Sequence, residues 1–443
     1  VAVALKAAAT IFPSEMRHSM KKAISVLCIT MMVARFAAPQ SVTSPASGEL
    51  SPAAQSIAQA SRAINEKPTQ YAGYNLLAAA LVRRAQESSD VSFYAQAGDA
   101  VKKSLEIAPN NFDAEKIRVS ILLGEHEFPA ALELAKTLNQ RVPDDVMVYG
   151  LLTDANVELG NYKDAEIAAQ WMLNLRPGNL PALNRAAHLR ELFGETEGAY
   201  ELLELAYQST PPTETGERAR LLTQMGYLRL ASGGTDVAEK LFQQALKSFP
   251  EYPSALGNLA QVRIAQKRYA EAVVLLQERY QVAPLAEHRY DLAEALQLAG
   301  RDGEARQAFA EFETRSLQES NKKQNSNRVL IFYYADHAQQ PARALKVAQQ
   351  EYARRHDVYT LDAYAWALHV NGLDAEAGKQ IETVLAVGIR TSNILVHAGE
   401  IALRQGHRTA AQNYLQEAVS LHAIGSEHAQ RVLAQLSGPN PQR

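Results

Sequence analysis

The chain has 443 residues, with 45 Lys and Arg against 48 Asp and Glu, 47% hydrophobic residues and one cysteine. That apolar share belongs to a folded protein and excludes wholesale disorder or a collagen-like fibre. One cysteine excludes a disulfide scaffold and any four-cysteine zinc or iron–sulfur site, and a formal net charge of −3 gives no reason to expect nucleic acid as the main partner.

Residues 1–45 read as an upstream and targeting segment with its linker. From Met20 come Lys21 and Lys22, an apolar stretch from Ala23 to Ala34, then Ala37, Ala38, Pro39 and a Ser/Thr/Pro-rich run to Pro52. A positive start, a short apolar run and small residues beyond it predict a secretory signal peptide. The run is shorter than the ~18–20 residues of a comfortable membrane span. Arg35 and Phe36 stand where cleavage wants small residues, and Ser44-Pro45-Ala46 offers a later site. The expectation is a periplasmic or secreted protein, touching a membrane only through this segment if it stays uncleaved. A mis-called start would leave the protein cytoplasmic instead.

Beyond Pro52 the chain is periodic. Prolines fall at Pro109, Pro143, Pro177 and Pro211, each 34 residues after the last, and Pro250 and Pro284 repeat that spacing. Each follows an amphipathic run, and proline marks a helix stop because it cannot continue one. Twelve residues before these six prolines stand Ala97, Ala131, Ala165, Ala199, Ala238 and Ala272. Gly160, Gly194, Gly233, Gly300, Gly372 and Gly406 each lie five residues ahead of such an alanine, which adds Ala305, Ala377 and Ala411, and Ala344 fills the slot between. Ten units result.

Within a unit, a first helix such as Val146 to Leu159 is predicted to end at a glycine able to take the left-handed conformation. A short turn follows, then a second helix runs to the proline. The alanine early in the second helix lets the two backbones approach closely. Small residues recur on the first helix as well: Ala78, Thr153, Ala187, Gly226, Ala260, Ala293, Ala365 and Gly399. One such pair cannot bury its apolar face alone, so the pairs must stack.

With period 34, the Gly-x-Tyr-x-x-Ala turn of Gly160–Ala165 and closures such as Ala245–Pro250, the chain resembles the tetratricopeptide repeat family over roughly residues 53–425. The resemblance implies an all-α fold, a right-handed α-solenoid of about ten helix hairpins. Its first helices would line a concave groove that takes extended peptides or partner helices. Residues 46–68 read as an N-terminal capping helix, 69–211 as units 1–4, 212–318 as units 5–7, 319–425 as units 8–10, and 426–443 as a C-terminal capping helix and tail. Three places break the period. They are seven extra residues near Ala85–Tyr94, five within Ser209–Glu217, and the polar run Glu319–Asn327, the last two read as loops.

No phosphate-binding glycine loop and no Gly-x-Ser-x-Gly elbow occurs, and His126-Glu127 lacks the second histidine of a zincin motif. His422 and His428, six apart, are a weak metal pair. The expectation is therefore a non-enzymatic protein without a cofactor or bound metal, and without a small-molecule substrate. Counting nine residues into each first helix gives an inward ladder that includes His188, Tyr227, Glu294, Tyr333, Trp366 and Glu400; four residues earlier, on the same face, stand Tyr290 and Asp362. Together with Tyr359 these are the groove candidates. The C-terminal third gathers rings beside carboxylates, which suits an apolar side chain next to a basic one. The competing reading is that Trp366 and Tyr333 fill space between neighbouring first helices. The predicted function is a scaffold holding a peptide or protein segment in the groove, and the alternative is a structural or accessory subunit whose groove is incidental.

Overall fold

The computed structural model describes residues 51–319, 327–421 and 426–437, and among them it holds 22 helices and no strand. The targeting segment, most of the polar run at 319–327 and the tail lie outside the described residues. Helix α1 (Pro52–Glu66) caps the array. Ten hairpins follow: α2 and α3 (Tyr71–Ser88, Ser92–Ile107), α4 and α5 (Phe112–Gly124, Phe128–Arg141), α6 and α7 (Val146–Glu158, Tyr162–Leu175), and α8 and α9 (Leu180–Leu192, Thr196–Ser209). Next come α10 and α11 (Thr215–Ala231, Thr235–Ser248), α12 and α13 (Pro253–Ala265, Tyr269–Val282), and α14 and α15 (Ala286–Leu298, Asp302–Glu319). Units 8 to 10 are α16 and α17 (Arg328–Phe332, Pro341–Tyr352), α18 and α19 (Val358–Val370, Asp374–Val387), and α20 and α21 (Ser392–Arg404, Arg408–Ser420), before α22 (Ser426–Ser437) closes the end.

The helix boundaries follow local chemistry. Asn111, Asp145, Asp357 and Thr391 cap first helices by accepting backbone N–H groups with their side chains, which satisfies donors the helix cannot. Each of the six periodic prolines stands two residues past a second helix. Every turn between the paired helices contains one residue in the left-handed region. Six are the periodic glycines, with φ from 72° to 80°, and the others are Ser89, His126, Lys267 and Gln339. The glycine signal therefore marked six of ten turns.

All ten alanines of the second helices are buried, nine of them completely and Ala305 at 3%. The opposing small residues are buried too, and two leave no room for a methyl group. A Cβ on Gly226 would stand 2.5 Å from the Phe242 ring, and one on Gly399 would stand 2.6 Å from Leu415. Close helix contact within the hairpin is thus a steric requirement met by both partners.

The seven extra residues of unit 1 are expected to lengthen its hairpin, and they do, whereas the break at 209–217 differs in detail from the loop expected there. The extra residues of unit 1 lengthen α2 to Ser88. The segment at 209–217 is a shorter loop than the sequence suggests, because α10 starts at Thr215 and absorbs the insertion as an additional helical turn. Unit 8 departs further, since its first helix becomes a π-turn over Tyr333–His337. No described helix is long and apolar enough to cross a membrane.

Two outcomes are expected. Replacing Ala165 or Ala238 by Leu overpacks a filled slot and lowers stability by about 1–3 kcal/mol, measured as a fall in urea midpoint. The second concerns His288, whose buried ring donates Nδ1–H to the Ala283 carbonyl at 2.7 Å; burial, and then the Arg279 charge, push its pKa down to about 3. A depressed histidine adds stability that is present above its unfolded value of ~6.5 and is lost as pH falls toward the folded value. The urea midpoint should decline between those limits, and His288→Gln should flatten part of the decline.

Candidate peptide-binding face

The ladder positions lie on the first helices, and the two halves of the array treat their charges differently. In units 2 to 5 the charges are tied to one another. Lys116 lies 2.9 Å from Asp145 and 3.0 Å from Asp113. Arg185 holds Asp154 through two nitrogens, at 2.8 and 2.5 Å. Glu217 pairs with Arg220 at 2.7 Å and accepts from Asn184 at 3.2 Å.

Four carboxylates of units 7 to 10 have other company. Glu294 meets His337 at 3.4 Å and accepts from the Tyr290 hydroxyl at 3.0 Å. Asp336 accepts the Trp366 indole N–H at 2.8 Å, and Asp362 meets His397 Nδ1 at 2.8 Å. Glu400 pairs with His428 of the capping helix. Among the described residues none of these four carboxylates has a Lys or Arg within ion-pair distance. Trp366 lies half-buried between them, stacked on His397 with ring centroids 4.4 Å apart.

The candidates named from sequence sort into three places. Tyr290 and Tyr333 are buried in one cluster with Phe309 and Phe312, where they fill space between helices. Glu294, Asp362, Trp366 and Glu400 belong to the C-terminal wall just described. Tyr359, Tyr227 and His188 form a separate group near the middle of the array. Tyr359 Oη is 3.4 Å from Glu191 and bonded to Tyr227, and His188 Nδ1 is 3.3 Å from the same Glu191. Burial pushes the Tyr227 hydroxyl up to about 12.

Asp336, His337 and His397 escaped the sequence reading, which weighed His428 only as half of a metal pair. The π-turn inserts a residue into the register of α16, so counting at helical spacing selected the buried Tyr333 and passed over Asp336 and His337. His397 sits three residues before the counted Glu400, one position off the same-face spacing of four. His428 sits on the capping helix, outside the repeat. Among the described residues no group of three His, Cys, Asp or Glu is placed to hold a metal, and His422 lies outside those residues.

The wall is tuned by proximity. Burial works against the charged His397 ring, but Asp362, followed by Asp336 and Glu400, outweighs it and raises the pKa. A raised histidine contributes stability that is fully present below its unfolded value of ~6.5 and disappears as pH rises through the folded value. NMR titration should place His397 above that reference. In Asp362→Asn it should drop by about one unit or more.

The tetratricopeptide repeat family model matches residues 223–284. "Cellulose synthase operon protein C" of Xanthomonas axonopodis pv. citri is 30% identical over 148 residues, 29% of this chain, and the chain spans only 10% of that relative. Among solved structures, yeast Tom70 is similar at 15% identity and a TM-score of 0.40, over 86% of this chain and 90% of that one. Human IFIT1, solved as a dimer with PPP-AAAA, is similar at 13% and 0.46, over 87% and 96%. Pseudomonas aeruginosa pilF is similar at 17% and 0.31, over 57% and 94%.

Proposed function

The chain is a tetratricopeptide repeat protein, and from that premise we propose that it is a non-enzymatic interaction scaffold. It holds a peptide or protein segment against the concave wall of units 7 to 10. The observation that carries this reading is the contrast in charge. Upstream ladder charges are neutralised by Lys and Arg of the same array, whereas among the described residues Glu294, Asp336, Asp362 and Glu400 have histidine, tyrosine or indole partners instead, and Asp336 accepts the N–H of the half-buried Trp366. Carboxylates around an aromatic face suit a segment carrying Lys or Arg beside an apolar residue. They oppose the phosphates of a nucleic acid. The layout of Met20–Pro52 supports action in the cell envelope, as a periplasmic or secreted protein.

A second reading rests on a different surface. Trp171 is 47% exposed and stacks on Tyr149 at 5.9 Å, beside the equally exposed Met147 and Ile167. An apolar patch of this kind suits docking to a neighbouring subunit, as an accessory component would need, and the Xanthomonas relative is named for a cellulose synthase operon.

Arrayed 15-residue peptides probed with the full chain separate the two. Peptides with Lys or Arg next to a large apolar residue should bind, more weakly as salt rises. Trp366→Ala should weaken them about tenfold or more, the scale of an aromatic hot spot, with the melting temperature unchanged. Lower melting with unchanged affinity would make the indole a packing residue and remove the groove reading. Loss of partner capture on Trp171→Ala alone would favour the accessory role.

A further inference from the structure

The array touches itself. The turns that join α6 to α7 and α8 to α9, in units 3 and 4, rest against the loops before α18 and α20, nearly 200 residues later. The Glu158 carbonyl accepts the His356 N–H at 3.1 Å, and the Tyr162 hydroxyl accepts the Val358 N–H at 2.8 Å. Gly160 packs on the His356 carbonyl, and Gly194 and Gly388 each lie on the other's turn. A Cβ on Gly194 would stand 2.6 Å from the Gly388 oxygen, and one on Gly388 would stand 2.5 Å from the Phe193 oxygen. Val157, Leu189 and Leu192 share an apolar cluster with Val358, Leu361 and Ile389 across this joint. Inside it, Tyr359 reaches Tyr227 and Glu191.

One side of the joint is braced. The loop at 353–357 is held by Arg355 on Glu351 at 3.1 Å, by Asn327 on the same Glu351 at 2.9 Å, and by Arg328 on Asp357 at 3.0 Å. Asp357 also caps α18. The loop therefore presents its N–H groups in fixed positions, ready to meet a turn that arrives from elsewhere. The joint is held by two hydrogen bonds to backbone N–H groups, the Tyr359–Glu191 contact at 3.4 Å, the Arg355–Glu158 pair at 3.7 Å, close glycine contacts and an apolar seam. A contact of that size opens far more often than the helices it connects unfold.

We infer that this joint is a clasp that closes the concave face into a ring, and that its parting admits the partner. The inference rests on the concave wall being the binding face. The clasp joins units 3 and 4 to the units that carry that wall, so with it shut a segment flanked by folded domains cannot thread in and must enter sideways when it parts. The partner is then an internal stretch of a longer chain, enclosed once the clasp closes. Tyr227, Tyr359 and His188 serve the closure and are not contacts of the free groove.

A reversible lock tests this. His356 Cβ is 3.3 Å from where a Cβ on Gly160 would stand, close to the ~3.8 Å of a disulfide. His126 and Lys267 show that this turn position accepts a side chain in other units, but a Cβ on Gly160 would also stand 2.7 Å from the His356 carbonyl oxygen, so the oxidised form is compared with the reduced form of the same double-cysteine protein. The protein used is the full chain with Cys28→Ser, Gly160→Cys and His356→Cys, oxidised and reduced. Hydrogen exchange at the Val358 amide should be at least tenfold slower when oxidised, and Tyr162→Phe, which removes its acceptor, should speed exchange about tenfold. The binding probe is a Lys- and Trp-containing 15-residue peptide fused between two folded domains. The oxidised protein should capture it at least tenfold more slowly than the reduced protein, while Tyr162→Phe captures it faster than wild type. Equal capture rates for oxidised and reduced protein would overturn the gate. Exchange at Val358 that occurs only with global unfolding would overturn the clasp. If neither form binds the peptide, with or without flanking domains, the groove reading fails, and the exchange data still decide whether the joint opens.

Discussion

Each hairpin depends on two backbones lying closer than ordinary side chains permit. The buried alanine of the second helix and the small residue facing it on the first create that approach, and at Gly226 and Gly399 not even a methyl group fits. Once the pair is locked, its outer apolar face has no partner within the unit and is covered by the next unit. Repetition follows from this, and so does the side-by-side stacking of successive hairpins. The position of every candidate binding residue descends from the same constraint.

A surface made this way is held rigid by its own packing, so the ordering cost of binding falls chiefly on the partner. The C-terminal wall exploits that rigidity. Its carboxylates are positioned by Trp366, Tyr290 and three histidines rather than paired with Lys or Arg. The histidines also make the field around them depend on pH. In unit 8 the π-turn sets the geometry, because a wider helical turn aims Asp336 and His337 where regular helix would not, a common device at functional positions.

The clasp adds a second level of organisation. A solenoid of nearest-neighbour contacts has no inherent limit on how far its ends spread. Contact between units 3–4 and units 8–10 supplies one, and couples the curvature of the array to access along its axis. The glycines at 160, 194 and 388 thus have two duties. They accept the left-handed backbone of their own turns, with φ of 73°, 78° and 120°, and they offer a surface flat enough for a distant loop to rest on.

Much of the fold was legible in the sequence because its determinants are local. Period, helix stops, glycine turns and alanine slots are each decided within about 40 residues, and a pattern repeated ten times stands clear of chance. The wall was half legible, since a regular count finds Glu294, Asp362, Trp366 and Glu400. Tyr290 and Tyr333 turned inward because the neighbouring Phe309 and Phe312 offered a place to bury them, and the count lost Asp336 and His337 where the helix changed its own spacing. Nothing in the sequence marks Glu158 as a neighbour of His356, or Tyr227 as a neighbour of Tyr359. Those meetings result from small rotations accumulated from unit to unit, so only the assembled superhelix determines which turns touch.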